Sequence, residues 1–248
     1  MKTAPPQGGV PSWLRDVPLA HRGLHGPGVM ENTTSAFEAA VAAGYGVELD
    51  VHLSGDGVPV VIHDETLDRV AGIGGRVSAL TAAELTQVNL VGVDERIPTL
   101  AEVLDVVRDT PTMVELKTSR LRAGRLEAAV AGLLENHPGP VCVASFNPFA
   151  LRWLRRNAGH VVRVMTAMTP EGSGVQAMVL RRMSELKDVP SIRPVAVSYH
   201  LESLPHPAVD RWREDGGVVV TWTVTDEPGL RRAREVADNV IFEHVRPT

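Results

Sequence analysis

The chain has 248 residues, with 25 Lys+Arg against 30 Asp+Glu for a formal charge of -5, and 44% of its residues are hydrophobic. That charge balance removes the electrostatic case for a nucleic-acid partner. A single cysteine, Cys142, excludes an internal disulfide framework and a thiolate metal cluster.

The remaining composition, with 22 Gly and 18 Pro, is globular and rich in turns. The length exceeds that of a typical single domain but suits one α/β barrel. The N-terminal MKTAPPQGGVPSW lacks the apolar run of a signal peptide. No stretch reaches the ~18 uninterrupted apolar residues of a spanning helix. The expectation is a cytoplasmic protein without stable membrane insertion.

Short apolar runs alternate with helical patterns along the chain. Val17 to Ala20 reads as a first strand, followed by a Gly-containing loop and a helix from Thr34 to Ala43, capped by Thr33 or Thr34 and ended by Gly44. Val47 to Leu53 is a second strand, and SGDG (Ser54 to Gly57) is a tight-turn signal leading into a return strand that ends at His63. Asp64 to Pro98 breaks the rhythm with a Gly-rich segment and a short ALTAAEL helix, and reads as a small insertion.

Alternation then resumes with helix Thr99 to Val107, strand Thr112 to Leu116, helix Leu121 to Leu134 and strand Val141 to Ala144. Helix Pro148 to Asn157, strand Val161 to Met165, helix Val175 to Leu186 and strand Val195 to Ser198 follow. Helix Ala208 to Glu214, strand Val218 to Thr223, helix Leu230 to Val236 and strand Val240 to Phe242 complete the pattern. Without the hairpin strand, eight candidate parallel strands remain. This predicts a single (β/α)8 barrel domain over residues 1–248, with a missing or replaced last outer helix. Trp13 and Leu14 are candidates to close the barrel bottom or to pack where that helix would lie. No GxGxxG or GxxxxGK[ST] follows the first strand, which weakens an open nucleotide-binding sheet.

The polar residues fall at strand ends. His21 and Arg22 end the first strand, while Glu48 and Asp50, two apart on the second, share a face. Glu115 and Lys117 repeat that spacing on the next strand, and Trp222 lies on the seventh. In a barrel these ends converge on one mouth, where active sites form. Three carboxylates, Glu48, Asp50 and Glu115, with no equal number of obvious cationic partners nearby in sequence, suit a hard divalent cation, Mg²⁺ or Ca²⁺. A network of salt bridges with Arg22 and Lys117 is the alternative.

His21 and His63 are the natural proton carriers, and Asp64 is placed to orient His63 or to serve as a turn residue. His52 alternates onto the same side as the carboxylates, where it either supports them or lines the barrel. Arg22 and Lys117 can neutralise phosphate oxygens. Trp222 fits either a substrate wall or the core.

AHRG (Ala20–Gly23), ENT (Glu31–Thr33), ELDV (Glu48–Val51), IHDETLDR (Ile62–Arg69), PTLAEVL (Pro98–Leu104), VELK (Val114–Lys117), SF (Ser145–Phe146) and WTV (Trp222–Val224) resemble, in order and interval, the glycerophosphodiester phosphodiesterase family. The resemblance runs from about Val17 to Val240. It implies a (β/α)8 barrel with a small insertion after the second strand, and cleavage of glycerophosphodiesters to sn-glycerol 3-phosphate and an alcohol with one divalent cation. His21 and His63 resemble the acid/base pair, Glu48, Asp50 and Glu115 the metal ligands, and Arg22 and Lys117 the phosphate-contacting cations. Glu31 resembles a mouth residue that holds the ligand or metal shell. A cyclic 1,2-phosphate is the implied intermediate.

Met30 departs from the family's proline before ENT, and IFEH (Ile241–His244) from its common ITD-like ending. Four Trp, four Phe and two Tyr offer no obvious aromatic cage for choline, which favours tolerance of ethanolamine, glycerol or inositol head groups, or of more than one. Two other readings stay open: a related barrel phospholipase acting on lysophospholipid or sphingolipid diesters, and a phosphate-ester-binding barrel without turnover.

Overall fold

The structure, a computed structural model, describes residues 9–118 and 123–247. The start of the expected helix at Leu121 and most of the N-terminal MKTAPPQGGVPSW lie outside the described residues. The chain forms two compact units, Leu19–Val141 and Cys142–Thr248 with Met1–Pro18.

In Leu19–Val141, β1 (Leu19–His21) pairs in parallel with β2 (Gly46–Leu53), and β3 (Pro59–Val61) returns antiparallel on the end of β2. On its other side β2 pairs in parallel with β4 (Thr112–Leu116). Val47, Leu49 and Val51 are fully buried on one face of β2, and β-branched and apolar residues suit that pleated, covered position. Glu48 and Asp50 occupy the other face. Gly46 is required at the start of β2, because a Cβ there would lie 2.4 Å from the Leu19 side chain and 2.7 Å from the Pro111 carbonyl.

Helix Thr34–Ala42 is capped by Thr33, whose Oγ1 accepts from the Ala36 N–H at 3.4 Å, and helix Leu100–Val107 carries a capping box of Thr99 and Glu102. Both helices bury an apolar stripe: Ala36, Phe37 and Ala40 on one, Leu100, Val103, Leu104 and Val107 on the other.

The segment from Asp64 to Pro98 has its own small core, in which Leu67, Val70, Val77, Leu85 and Leu90 pack with Val60, Ile62 and Ile97. Met30 packs against this cluster. At this departure from the family pattern the side chain therefore contributes apolar contact to the segment.

The other unit runs β5 (Val141–Ser145), β6 (Val162–Ala167), β7 (Ala196–His200), β8 (Val218–Val224) and β9 (Asn239–Phe242), with parallel pairing from β5 to β9. Helix Trp13–Asp16 buries Leu14 and contacts β8 and β9. Arg15 pairs with Asp238 at 3.3 Å, and Asn239 donates to the Val17 carbonyl at 2.7 Å. No helix follows β9 among the described residues. With eight parallel strands alternating with helices, the fold is a (β/α)8 barrel. Among the described residues, no helix is long and apolar enough to cross a membrane.

The boundaries differ from the expected ones where proline opens a helix. The last two helices begin at Pro207 and Glu227, earlier than Ala208 and Leu230, because a proline in the first turn costs no hydrogen bond. One-turn helices at Trp13–Asp16, Asp68–Ala71 and Val189–Ile192 are too short to show a period in the sequence.

Candidate active site

Strand register brings the carboxylates together. His21 is the Cα partner of Glu48 across β1 and β2, and Asp50 that of Glu115 across β2 and β4. Partners across a parallel ladder share a face, and residues two apart on a strand do too. Oxygen atoms of Glu48, Asp50 and Glu115 all lie within 4.8 Å of one another. Glu48 and Asp50 are almost wholly buried, at 3% and 1% exposure.

Arg22 and Lys117, expected at the same strand ends, also converge here. Lys117 Nζ lies 2.8 Å from Asp50 Oδ1 and 2.6 Å from Glu115 Oε1, while Arg22 Nε lies 3.2 Å from Asp50 Oδ2. Of the two readings of the carboxylates, the acidic cluster and the salt-bridge network with Arg22 and Lys117 coexist. Burial pushes Asp50 up, but Lys117 and Arg22 outweigh it and hold the carboxyl well below the usual carboxylate range.

Glu48 behaves in the opposite way. Burial and the adjacent Asp50 charge push its carboxyl up to about 8, against the pull of His21, whose Nε2 lies 3.8 Å from Glu48 Oε2. The Arg22 backbone N–H donates to Glu48 Oε2 at 3.2 Å. The side chains around Glu48 thus leave its negative charge only partly compensated. A divalent cation on three hard oxygen donors fits that surplus.

The loop after β1 is tightly wound. Arg22 and Asn32 both adopt positive φ, +57° and +56°, and the Asn32 N–H donates to the Arg22 carbonyl at 2.9 Å. Gly23 follows at φ +80°, where a Cβ would sit 2.8 Å from Ala36. This winding delivers Arg22 to Glu31, whose Oε1 accepts from Arg22 Nη1 at 2.9 Å. Arg69 grips the same carboxylate, Nη2 to Oε1 at 2.8 Å and Nη1 to Oε2 at 3.1 Å. Burial raises Glu31, but the two arginines more than offset it and its carboxyl is held low.

His63 follows β3. Its Nδ1 lies 2.7 Å from Asp64 Oδ1, and Asp64 Oδ2 accepts from Arg69 Nε at 2.6 Å. Of the two roles considered for Asp64, orienting His63 matches this contact. His52 Nε2 donates to the His63 carbonyl at 3.0 Å, since a carbonyl can only accept. Burial holds the His52 pKa down, consistent with a neutral ring that supports the His63 backbone.

Trp222 lies on β8 in the other unit, edge-on to Phe146 with centroids 5.5 Å apart and 4.8 Å from the His200 ring. Sequence reasoning passed over Asn32 as a site residue, although it stands within ENT, and over Arg69 within IHDETLDR.

The profile of the Glycerophosphoryl diester phosphodiesterase family matches residues 21–245. The chain belongs to this family. Among relatives of this phosphodiesterase family member, the glycerophosphodiester phosphodiesterase of Bacillus altitudinis is 30% identical over 236 residues, 90% of this chain and 92% of that protein. The glycerophosphodiester phosphodiesterase of Caldanaerobacter subterraneus subsp. tengcongensis is 36% identical over 160 residues, 60% of this chain. The match spans 65% of the latter's length, a little under two thirds.

A solved structure of an Oleispira antarctica phosphodiesterase in complex with the product sn-glycerol-3-phosphate aligns with TM-score 0.77 and 26% identity over 90% of this chain and 91% of that one. The Thermotoga maritima glycerophosphodiester phosphodiesterase aligns with TM-score 0.72 and 28% identity over 91% and 94%.

Proposed function

We propose that this family member is a divalent-cation-dependent phosphodiesterase that cleaves glycerophosphodiesters to sn-glycerol 3-phosphate and an alcohol. The observation that carries the reading is the cluster of Glu48, Asp50 and Glu115 within 4.8 Å, with His21 and His63 both close enough to bear on Asp50 electrostatically. The product complex of the Oleispira relative supports the substrate class.

In this reading Glu48, Asp50 and Glu115 hold one Mg²⁺ or Ca²⁺, an assignment that follows from an all-oxygen donor set. When bound, the cation neutralises phosphate oxygens and orients the attacking hydroxyl. Arg22 and Lys117 add fixed positive charge for the phosphoryl oxygens. One histidine takes the proton of the glycerol 2-hydroxyl as that oxygen attacks phosphorus, and the other gives a proton to the departing alcohol oxygen. The product of this step is a cyclic 1,2-phosphate, which water opens with the two histidines in exchanged roles. His63 suits such a task because Asp64 accepts at Nδ1 and leaves Nε2 for proton transfer. Glu31 serves as the counter-charge that aims Arg22. Residues 64–98 are an insertion within one barrel domain.

The test is release of glycerol 3-phosphate from metal-stripped protein with Mg²⁺ or Ca²⁺ restored, alongside His21→Ala and Glu48→Ala. Glycerophosphocholine, glycerophosphoethanolamine, glycerophosphoglycerol and glycerophosphoinositol form the panel. Cation-dependent release that both substitutions abolish is expected. No release from any of the four with either ion would overturn the assignment, and turnover of lysophosphatidylcholine instead would move it to lipid diesters.

A further inference from the structure

We propose that Arg69 is a positioning residue that holds His63 and Arg22 in their working orientations through the two carboxylates it bridges, an inference that rests on the function proposed above. Arg69 is the one cation among the described residues that binds both Asp64 and Glu31. All three guanidinium nitrogens are engaged: Nε on Asp64 Oδ2 at 2.6 Å, and Nη1 and Nη2 on Glu31 Oε2 and Oε1 at 3.1 and 2.8 Å. Each carboxylate in turn accepts from a residue of the proposed chemistry. Asp64 Oδ1 receives His63 Nδ1 at 2.7 Å, and Glu31 Oε1 receives Arg22 Nη1 at 2.9 Å. Arg22 continues to Asp50 at 3.2 Å. The result is one path of charged contacts from His63 to a cation ligand, with Arg69 at its centre.

The chemistry of this centre needs arginine. A planar fork can satisfy two carboxylates at fixed angles, whereas an ammonium is a point charge on a flexible stem. Arg69 also has a firm base. It lies in the short helix Asp68–Ala71, between Leu67 and Val70, which are 0% and 4% exposed in the small core of the insertion. The insertion thus sets where the guanidinium sits, and the guanidinium sets the Asp64 rotamer. A fixed Asp64 accepts from His63 Nδ1 and so fixes the orientation of the ring.

A merely structural arginine would anchor the insertion without bearing on the imidazole. The experiment therefore combines kinetics with ¹⁵N-histidine NMR on wild type, Arg69→Ala, Arg69→Lys and Arg69→Gln, the last serving if the alanine variant does not fold. Arg76, in the same insertion and paired with exposed Glu65 at 2.5 Å, is the control as Arg76→Ala.

Both Arg69→Ala and Arg69→Lys are expected to lower kcat about 10- to 100-fold with KM changed by less than about threefold, the usual scale for a lost orienting partner. Guanidinium ion should restore part of the Arg69→Ala rate. The Nδ1-protonated His63 signature of the wild type should give way to a mixture of tautomers, and Arg76→Ala should match wild type in both readouts. A kcat for Arg69→Ala within about twofold of wild type, or an unchanged His63 signature, overturns the proposal. If the wild type turns over no diester, the proposed function falls, and the His63 signature still decides the role of Arg69.

Discussion

Asn32 clamps Asp50 at two points: its Nδ2 donates to Asp50 Oδ2 at 3.0 Å, and its Oδ1 accepts from the Asp50 backbone N–H at 3.3 Å. The side chain fixes both the strand and the carboxylate it presents, and it does so from φ +56°, where asparagine is one of the few tolerated side chains. Asn32→Gly keeps that backbone conformation and removes only the clamp. The expected outcome is divalent-cation affinity weaker by about 10- to 100-fold, as for other lost partners of ligating groups. Isothermal titration with Mg²⁺ and Ca²⁺ checks it, and an affinity within about twofold of wild type would refute the clamp.

What was legible in the sequence is what strand geometry dictates. Glu48 and Asp50 share a face because β2 alternates, and the Asp50–Glu115 pairing follows once β2 and β4 lie side by side. The contacts that complete the cluster depend on side-chain reach in three dimensions. Lys117 folds back onto Asp50, and Arg69 crosses 38 positions of sequence to Glu31. Neither leaves a local period, and a loop asparagine such as Asn32 looks like any turn residue until its partner is known. The eight-fold alternation was readable for the same reason that the one-turn helices were not: a period needs several turns to appear.

Glu48 sits where its charge is costly, so removing the charge should help the fold and end the chemistry. Glu48→Gln in metal-free protein is expected to raise the melting temperature by about 2–4 °C, the response to about 1 kcal/mol in a chain of this size. Cation-dependent turnover should disappear. Differential scanning fluorimetry with chelator present checks the first outcome. A fall in melting temperature would show that Glu48 is already compensated by its neighbours.

The small core of the insertion should be separable from the rest of the chain in its local stability. Leu67 is fully buried within it, and Leu67→Ala should cost about 2–5 kcal/mol locally. Hydrogen exchange is expected to show lost protection concentrated in residues 64–98, with the strands from β5 to β9 little changed. Activity should fall too, because Arg69 stands two residues away. Uniform loss of protection across the chain would mean that the insertion does not open as its own unit.

His206 offers a pH test on a helix cap. It caps helix Pro207–Glu214 by accepting the Ala208 N–H at Nδ1, 3.2 Å away, which only an unprotonated nitrogen can do. Burial holds its pKa below the ordinary histidine value, opposed by Asp210 and Glu185 and assisted by Arg211. The unfolded chain therefore binds the proton more readily than the native one. The cap's contribution is complete above the unfolded value of about 6.5 and is lost as pH falls through the lower native value. His206→Asn keeps a capping oxygen and does not titrate, so its melting temperature should match wild type at about pH 7.5 and exceed it at about pH 5. His206→Ala should lie below both at the higher pH, by about 1 kcal/mol for a lost cap. Thermal melts of the three proteins across that range decide the matter, and a constant gap between wild type and His206→Asn would show that His206 does not couple the helix to pH.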